Sequence, residues 1–216
     1  MSQDSSPIPR HLMVELVGPL VDDRGAMART LGEVLRDRGV ELRPGALDQV
    51  TGAAASWAIH TLLEGHGRGD LLEDADALLA QVARRWHHAA TRAGAAPGAA
   101  THWTRLVQGA GRIAVFCAYP GEVGLALAAA AGLPDLERHL VDMSADGGPP
   151  RPERLVETIA SWGEPASAVT AVVATAPAML AALSARCGEV LLVGADSPQA
   201  VLLAERRLAS LAEVGQ

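Results

Sequence analysis

The sequence predicts an α/β protein: a parallel sheet covered by helices on both faces, with an all-helical block inserted after its first strand. Three observations point there. Compact apolar runs alternate with helical stretches through the second half of the chain, the pattern of strands buried on both faces. A similar run, Leu12 to Val17, stands alone near the start. Between them, residues 26 to about 108 show helical periodicity and no convincing strand.

The elements follow in order. "MSQDSSPIPRH" is a polar tail without a signal-type apolar segment. "HLMVELV" is the first strand, and "GPLVDD" breaks it. In "RGAMARTLGEVLRDRG", Met27, Leu31, Val34 and Leu35 recur at helical spacing, and Gly39 suits a stop. "RPGALDQVTG" reads as a short helix, "ASWAIHTLLEG" as another. "DLLEDADALLAQVARRWHHAATRAG" is a long helix with Leu71, Ala75, Leu78, Leu79, Val82 and Trp86 on one face. Then "RIAVFCAYP" is a strand with a turn, "GEVGLALAAAAG" a helix, and "HLVDMSADGGPPRP" a short strand with a proline-rich turn. "ERLVETIASWG" and "AMLAALSARCG" are helices flanking the strand of "AVTAVVATAP". "EVLLVGADSP" is another strand, and "QAVLLAERRLASL" closes the chain as a helix. The resulting division is a core of residues 1–23 and 109–216 and a helical cap of residues 24–108.

Composition narrows the function classes. Apolar residues make up 49% of the 216, enough for a real core. The formal net charge is −7, and no basic run with interleaved aromatics occurs, so nucleic acid is not an expected partner. All 18 basic residues are arginine; without lysine, Schiff-base chemistry on a lysine amine is excluded. Cys117 and Cys187 have neither metal-ligand nor disulfide spacing. No apolar run reaches the length of a membrane span. The expectation is a cytoplasmic protein away from membranes, with a homodimer left open.

In open parallel sheets, ligands bind outside the carboxyl ends of the strands. Those ends are Glu15 to Gly18, Cys117 to Tyr119, Met143 to Arg151 and Ala174 to Pro177. The inserted block would lie over that rim.

The order of motifs resembles the haloacid dehalogenase-like superfamily, a Rossmannoid core with a helical cap, and within it the phosphonoacetaldehyde hydrolase-like branch. In "ELVGPLVDDRGAM", Gly18, Leu20, Val21 and Asp22 match the first motif, Asp-x-x-Gly-Thr and a following acid. The nucleophilic aspartate falls on Glu15, the threonine on Pro19 and the second acid on Val17. In "RIAVFCAYP" the phosphoryl-binding Ser or Thr falls on Cys117. In "GGPPRPERLVETIASWG" the lysine falls on Pro149, with Arg151 the nearest cation. In "AVVATAPAMLAALSARCGEVLLVGA" the magnesium-holding acids fall on Thr175 and Met179; a rival placement on "VGADSP", which would recover Asp196, leaves too short a tail. In the cap loop "GAAASWAI" the Schiff-base lysine falls on Ala55.

The resemblance implies phosphoryl transfer through an aspartyl nucleophile and magnesium, and these substitutions remove the groups that chemistry uses. The sequence reading is therefore a chain of hydrolase ancestry without the magnesium and phospho-aspartate mechanism. It becomes a repurposed, metal-independent and cofactor-free enzyme acting on a small organic molecule in the cap–core cleft, by lyase, cyclase, isomerase or hydrolase chemistry. A non-catalytic protein binding a metabolite or partner is the alternative, and a residual phosphatase or phosphonatase-type hydrolase the second. Glu15, Tyr119 and Cys117 are the candidate catalytic groups. For each a structural role stands beside the chemical one: Glu15 bonding loop amides, Cys117 filling a buried position. Val17, Gly18, Pro19, Ala55, Trp57, Arg151 and Thr175 are the candidate substrate contacts. His87 and His88 are adjacent on a helix and cannot both face one metal. Asp22 is expected to cap the first cap helix or its linker.

Overall fold

The computed structural model describes residues 8–194 and 198–214, with the Asp146 side chain excepted. The polar tail before Ile8 and the Asp196 alternative lie outside the described residues.

Eight strands and eight α-helices are described. Strand β1 (His11–Glu15) is buried at all five positions. It is followed by β2 (Val21–Asp22), α1 (Ala26–Arg36), α2 (Ala55–Gly65), α3 (Ala75–Ala90), β3 (Gly94–Ala95) and α4 (Ala99–Gly109). Then come β4 (Arg112–Cys117), α5 (Gly121–Ala131), β5 (Leu140–Asp142), α6 (Pro152–Ser161), β6 (Val169–Val173), α7 (Ala176–Ser184), β7 (Glu189–Val193), α8 (Pro198–Leu203) and β8 (Arg206–Leu208). Six strands form one sheet in the order β5-β4-β1-β6-β7-β8, and every pairing in it is parallel.

β1 is central because its run is apolar on both faces. Leu12 and Val14 enter the core on one side with α1 to α5, and Met13 enters the other with α6 to α8. The insert's apolar stripe is continuous with the first of these cores: Met27, Leu31, Val34, Leu78, Val82 and Trp86 join Val115 and Leu127. Each buried indole finds an acceptor, as such N–H groups require. Trp86 Nε1 donates to the Met27 carbonyl at 2.9 Å, and Trp103 Nε1 to that of Pro134 at 2.7 Å.

Three expectations change. Residues 44–52 form successive turns rather than a helix. The φ angles of Gly45 and Gly52, +77° and +86°, belong to the left-handed region that ends helices. The closing helix is short, and the chain then adds β8 as a sixth strand, with Arg206 and Arg207 on the sheet edge. The insert also carries a two-residue strand, β3, which pairs with β2. Among the described residues no helix is long and apolar enough to cross a membrane.

Candidate functional site

The strand order reverses at β1: the chain proceeds from there to β4 and β5 on one side, and from β6 to β8 on the other. The crevice at such a reversal is where open sheets bind ligands. Glu15 ends β1 at this point, and Ala174 and Thr175 follow β6 beside it.

Glu15 is almost fully buried, 6% exposed. Its Oε2 accepts hydrogen bonds from the Ala174 and Thr175 amides at 2.7 and 3.0 Å, and its Oε1 accepts from Thr175 Oγ1 at 2.7 Å. These donors belong to the start of α7, whose N-terminus favours negative charge. Thr175 also caps that helix, its Oγ1 accepting from the Ala178 amide at 3.4 Å. Burial disfavours the carboxylate more than the three donors favour it, and the Glu15 carboxyl is pushed up to about 7. The carboxylate bonds loop amides, as its structural role anticipated, and burial also raises its pKa, the condition for an acid–base role. Its partners were not legible, because Thr175 is 160 residues away in sequence.

The loop after Glu15 is drawn tight. The Gly18 amide donates to the Val21 carbonyl and the Val21 amide to that of Leu16, both at 2.9 Å. Gly18 has φ +99°, and a Cβ there would collide with the Ala174 Cβ. Glycine is what lets the two strand-end loops touch. Asp22 serves the linker, its Oδ1 accepting from the Arg24 amide at 2.8 Å, and Asp23 the start of α1, its Oδ2 accepting from the Met27 amide at 2.9 Å.

The remaining candidates separate into groups. Val17, Gly18, Pro19 and Thr175 line one cleft of about 560 Å³, together with Asp48 and Thr51 of the insert and Ser210 near the C-terminus. Asp48 and Thr51 were missed because their segment read as a helix; Ser210 was missed for the same reason. Cys117 and Tyr119 are buried on the α5 side of the sheet, whereas strand alternation puts Glu15 on the face of Met13 and Phe116. The Cys117 thiol is pushed up to about 12 by burial, with the Asp142 and Glu15 charges adding to it. Burial also raises the Tyr119 phenol well above its usual range. Its ring packs edge-on against Trp86, with centroids 4.8 Å apart. Ala55 is buried at the start of α2. Trp57 lines a separate apolar hollow with Pro150, Pro177 and Leu180. Arg151 is exposed at the N-cap of α6.

The insert closes down on the rim. The Ala54 amide donates to the Gly148 carbonyl at 3.0 Å, and Ser56 Oγ to that of Gly147 at 3.2 Å. Gly52 lies so close to Thr175 that a Cβ on it would collide with Oγ1.

Six parallel strands, their reversal at β1, and helices inserted after β1 and folded over the strand ends form one recognisable architecture. The chain has the haloacid dehalogenase-like fold. A hydrolase from Pseudomonas syringae superposes with a TM-score of 0.82 at 17% identity, over 94% of this chain and 95% of that one. A phosphonoacetaldehyde hydrolase-like protein from Oleispira antarctica gives 0.78 at 16%, over 97% and 90%. A protein described as a phosphoglycolate phosphatase from Lactobacillus plantarum gives 0.76 at 17%, over 96% and 98%. No family model matches the chain, and no curated protein does.

These similarities correct the functional expectation. Proteins that share this haloacid dehalogenase-like fold over nearly their whole length are described as hydrolases and a phosphatase. A repurposed reaction outside that chemistry has no support among them, and no loss of catalysis is shown. Both readings are set aside.

Magnesium, which the fold family implies, needs several hard oxygen ligands. Both Glu15 oxygens already accept from protein donors, and Val17, Thr175 and Met179 stand where further acids would be. Among the described residues, no group of three or more His, Cys, Asp or Glu could hold a metal ion. This donor set does not fit a resident magnesium ion at the strand ends.

Proposed function

We propose that the protein is a hydrolase of phosphoryl esters. The substrate enters the cleft between the core, residues 1–23 and 109–216, and the cap, residues 24–108. One observation carries the reading: a carboxyl group at the end of the central strand, held by the start of α7 and pushed up to about 7 by its burial. Such a group is present in both protonation states near neutral pH, the condition for proton transfer during turnover. Thr175 bonds Glu15 and also lines the cleft. Its hydroxyl therefore links the buried carboxylate to a molecule outside. Water attacks the ester, its proton passes through Thr175 to Glu15, and the departing alkoxide takes that proton back. The names of the similar structures favour water as the second reactant. A cytoplasmic setting belongs to the same reading, and light scattering decides between monomer and homodimer.

The test is phosphate release from a panel of phosphate monoesters and phosphonates, once with added magnesium and once with a chelator. Wild-type turnover that disappears in Glu15→Gln supports the reading. If wild type hydrolyses no member faster than Glu15→Gln does, the reading fails.

A further inference from the structure

A second large hollow lies outside that cleft and carries the opposite charge. It is a groove of about 530 Å³ between α1 and α3, lined by Arg24, Arg29, Arg84, Arg85 and Arg92 with His88. Five of the 18 arginines of a chain with net charge −7 thus converge on one concavity. Only two carboxylates, Asp23 and Glu33, share its lining, and Asp23 is engaged by the Gly25 and Met27 amides at 3.0 and 2.9 Å.

With Asp37 counted, five arginines face three carboxylates, an excess of positive charge. Arg85 pairs with Asp37 at 2.8 Å. Arg92 donates to His88 Nε2 at 2.9 Å; a guanidinium can only donate, so this nitrogen accepts and the ring brings no negative charge. The ion pairs among the described residues involve Arg10, His11, Arg38, Arg68, Arg85, Arg138, Arg154 and Arg206, and none involves Arg24, Arg29, Arg84 or Arg92. Arg84, His88 and Arg92 fall at intervals of four residues along α3 and just beyond its end, which sets them along one side of the groove. Arg29 faces them from α1.

We propose that this groove is a binding site for a small anion of the diphosphate class. Guanidinium groups grip phosphate oxygens in pairs. Arginines on two facing walls of a groove this size suit more than one phosphoryl group. Arg24 lines both the groove and the neighbouring cleft, so the anion would lie beside the entrance to the candidate active site.

Calorimetric titration of the full chain with inorganic pyrophosphate tests the site. One saturable site is expected, tighter for pyrophosphate than for phosphate. Arg84→Gln/Arg92→Gln keeps good helix formers on α3 and should weaken binding at least tenfold. Arg29→Gln, on the opposite wall, should weaken it independently. Arg112→Gln/Arg138→Gln removes two charges elsewhere and should bind as wild type does. Absence of saturable pyrophosphate binding, or an equal loss in the distant double variant, overturns the proposal. Ester hydrolysis depends on Glu15 and should be unchanged in Arg84→Gln/Arg92→Gln, so this site and the hydrolase reading fail separately.

Discussion

Glu15 is one methylene longer than the aspartate that the resemblance puts at its position, and the added reach brings its carboxyl group onto the first amides of α7. The folded state holds this group's proton more tightly than the unfolded chain does, with the midpoint moved from 4.5 to about 7. The sign follows from that. The stabilisation is full below about 4.5 and is lost as pH rises through about 7. Between those limits wild type should lose on the order of 3 kcal/mol more stability than Glu15→Gln, seen by urea denaturation at each pH. Hydrolysis should show the opposite trend, rising through a midpoint near 7 as the carboxylate forms to accept the proton. Sequence alone could locate Glu15, because a buried strand ending in an acid is a local pattern. It could not supply Thr175 as the partner, because parallel pairing joins residues with no local relation. The buried position anticipated for Cys117 is the one observed, and burial pushes its thiol up to about 12.

At the scale of elements, two glycines let separate loops meet, and they can be told apart from glycines that only turn the chain. Gly52→Ala puts a methyl group onto Thr175 at a φ of +86°. It should cost about 2 kcal/mol or more in chemical denaturation. Gly25 has φ +68°, but a Cβ placed on it would meet nothing within 4 Å. Gly25→Ala should therefore cost only about 1 kcal/mol, the backbone contribution alone. Helix α2 and strand β4 have the boundaries their apolar patterns predicted. β8 escaped because two of its three residues are arginines at an edge, where charge protects a strand from further pairing and hides its pattern. The 44–52 segment misled for a simpler reason. Its apolar residues Ala46 and Val50 are buried as a helix would bury them, but the chain between glycines turns instead.

For the whole molecule, the parallel sheet and the placement of the insert were legible because they depend on the order of apolar runs. The distribution of charge was not, since a net −7 conceals a groove of five arginines. Arg84, Arg85 and Arg92 lie near one another in sequence, but the facing Arg29 is supplied only by the packing of α1. Trp103 joins the insert's end to the main core and is fully buried. Trp103→Ala should cost about 3–5 kcal/mol by the same denaturation measurement. The hydrogen bonds from Ala54 and Ser56 to Gly148 and Gly147 have a kinetic consequence. They tie the start of α2 to the strand-end loop at Gly147 and Gly148, so the backbone there is shielded from solvent exchange while the contact holds. The Ala54 amide proton reports on that contact: it should exchange with solvent only while its hydrogen bond to Gly148 is broken.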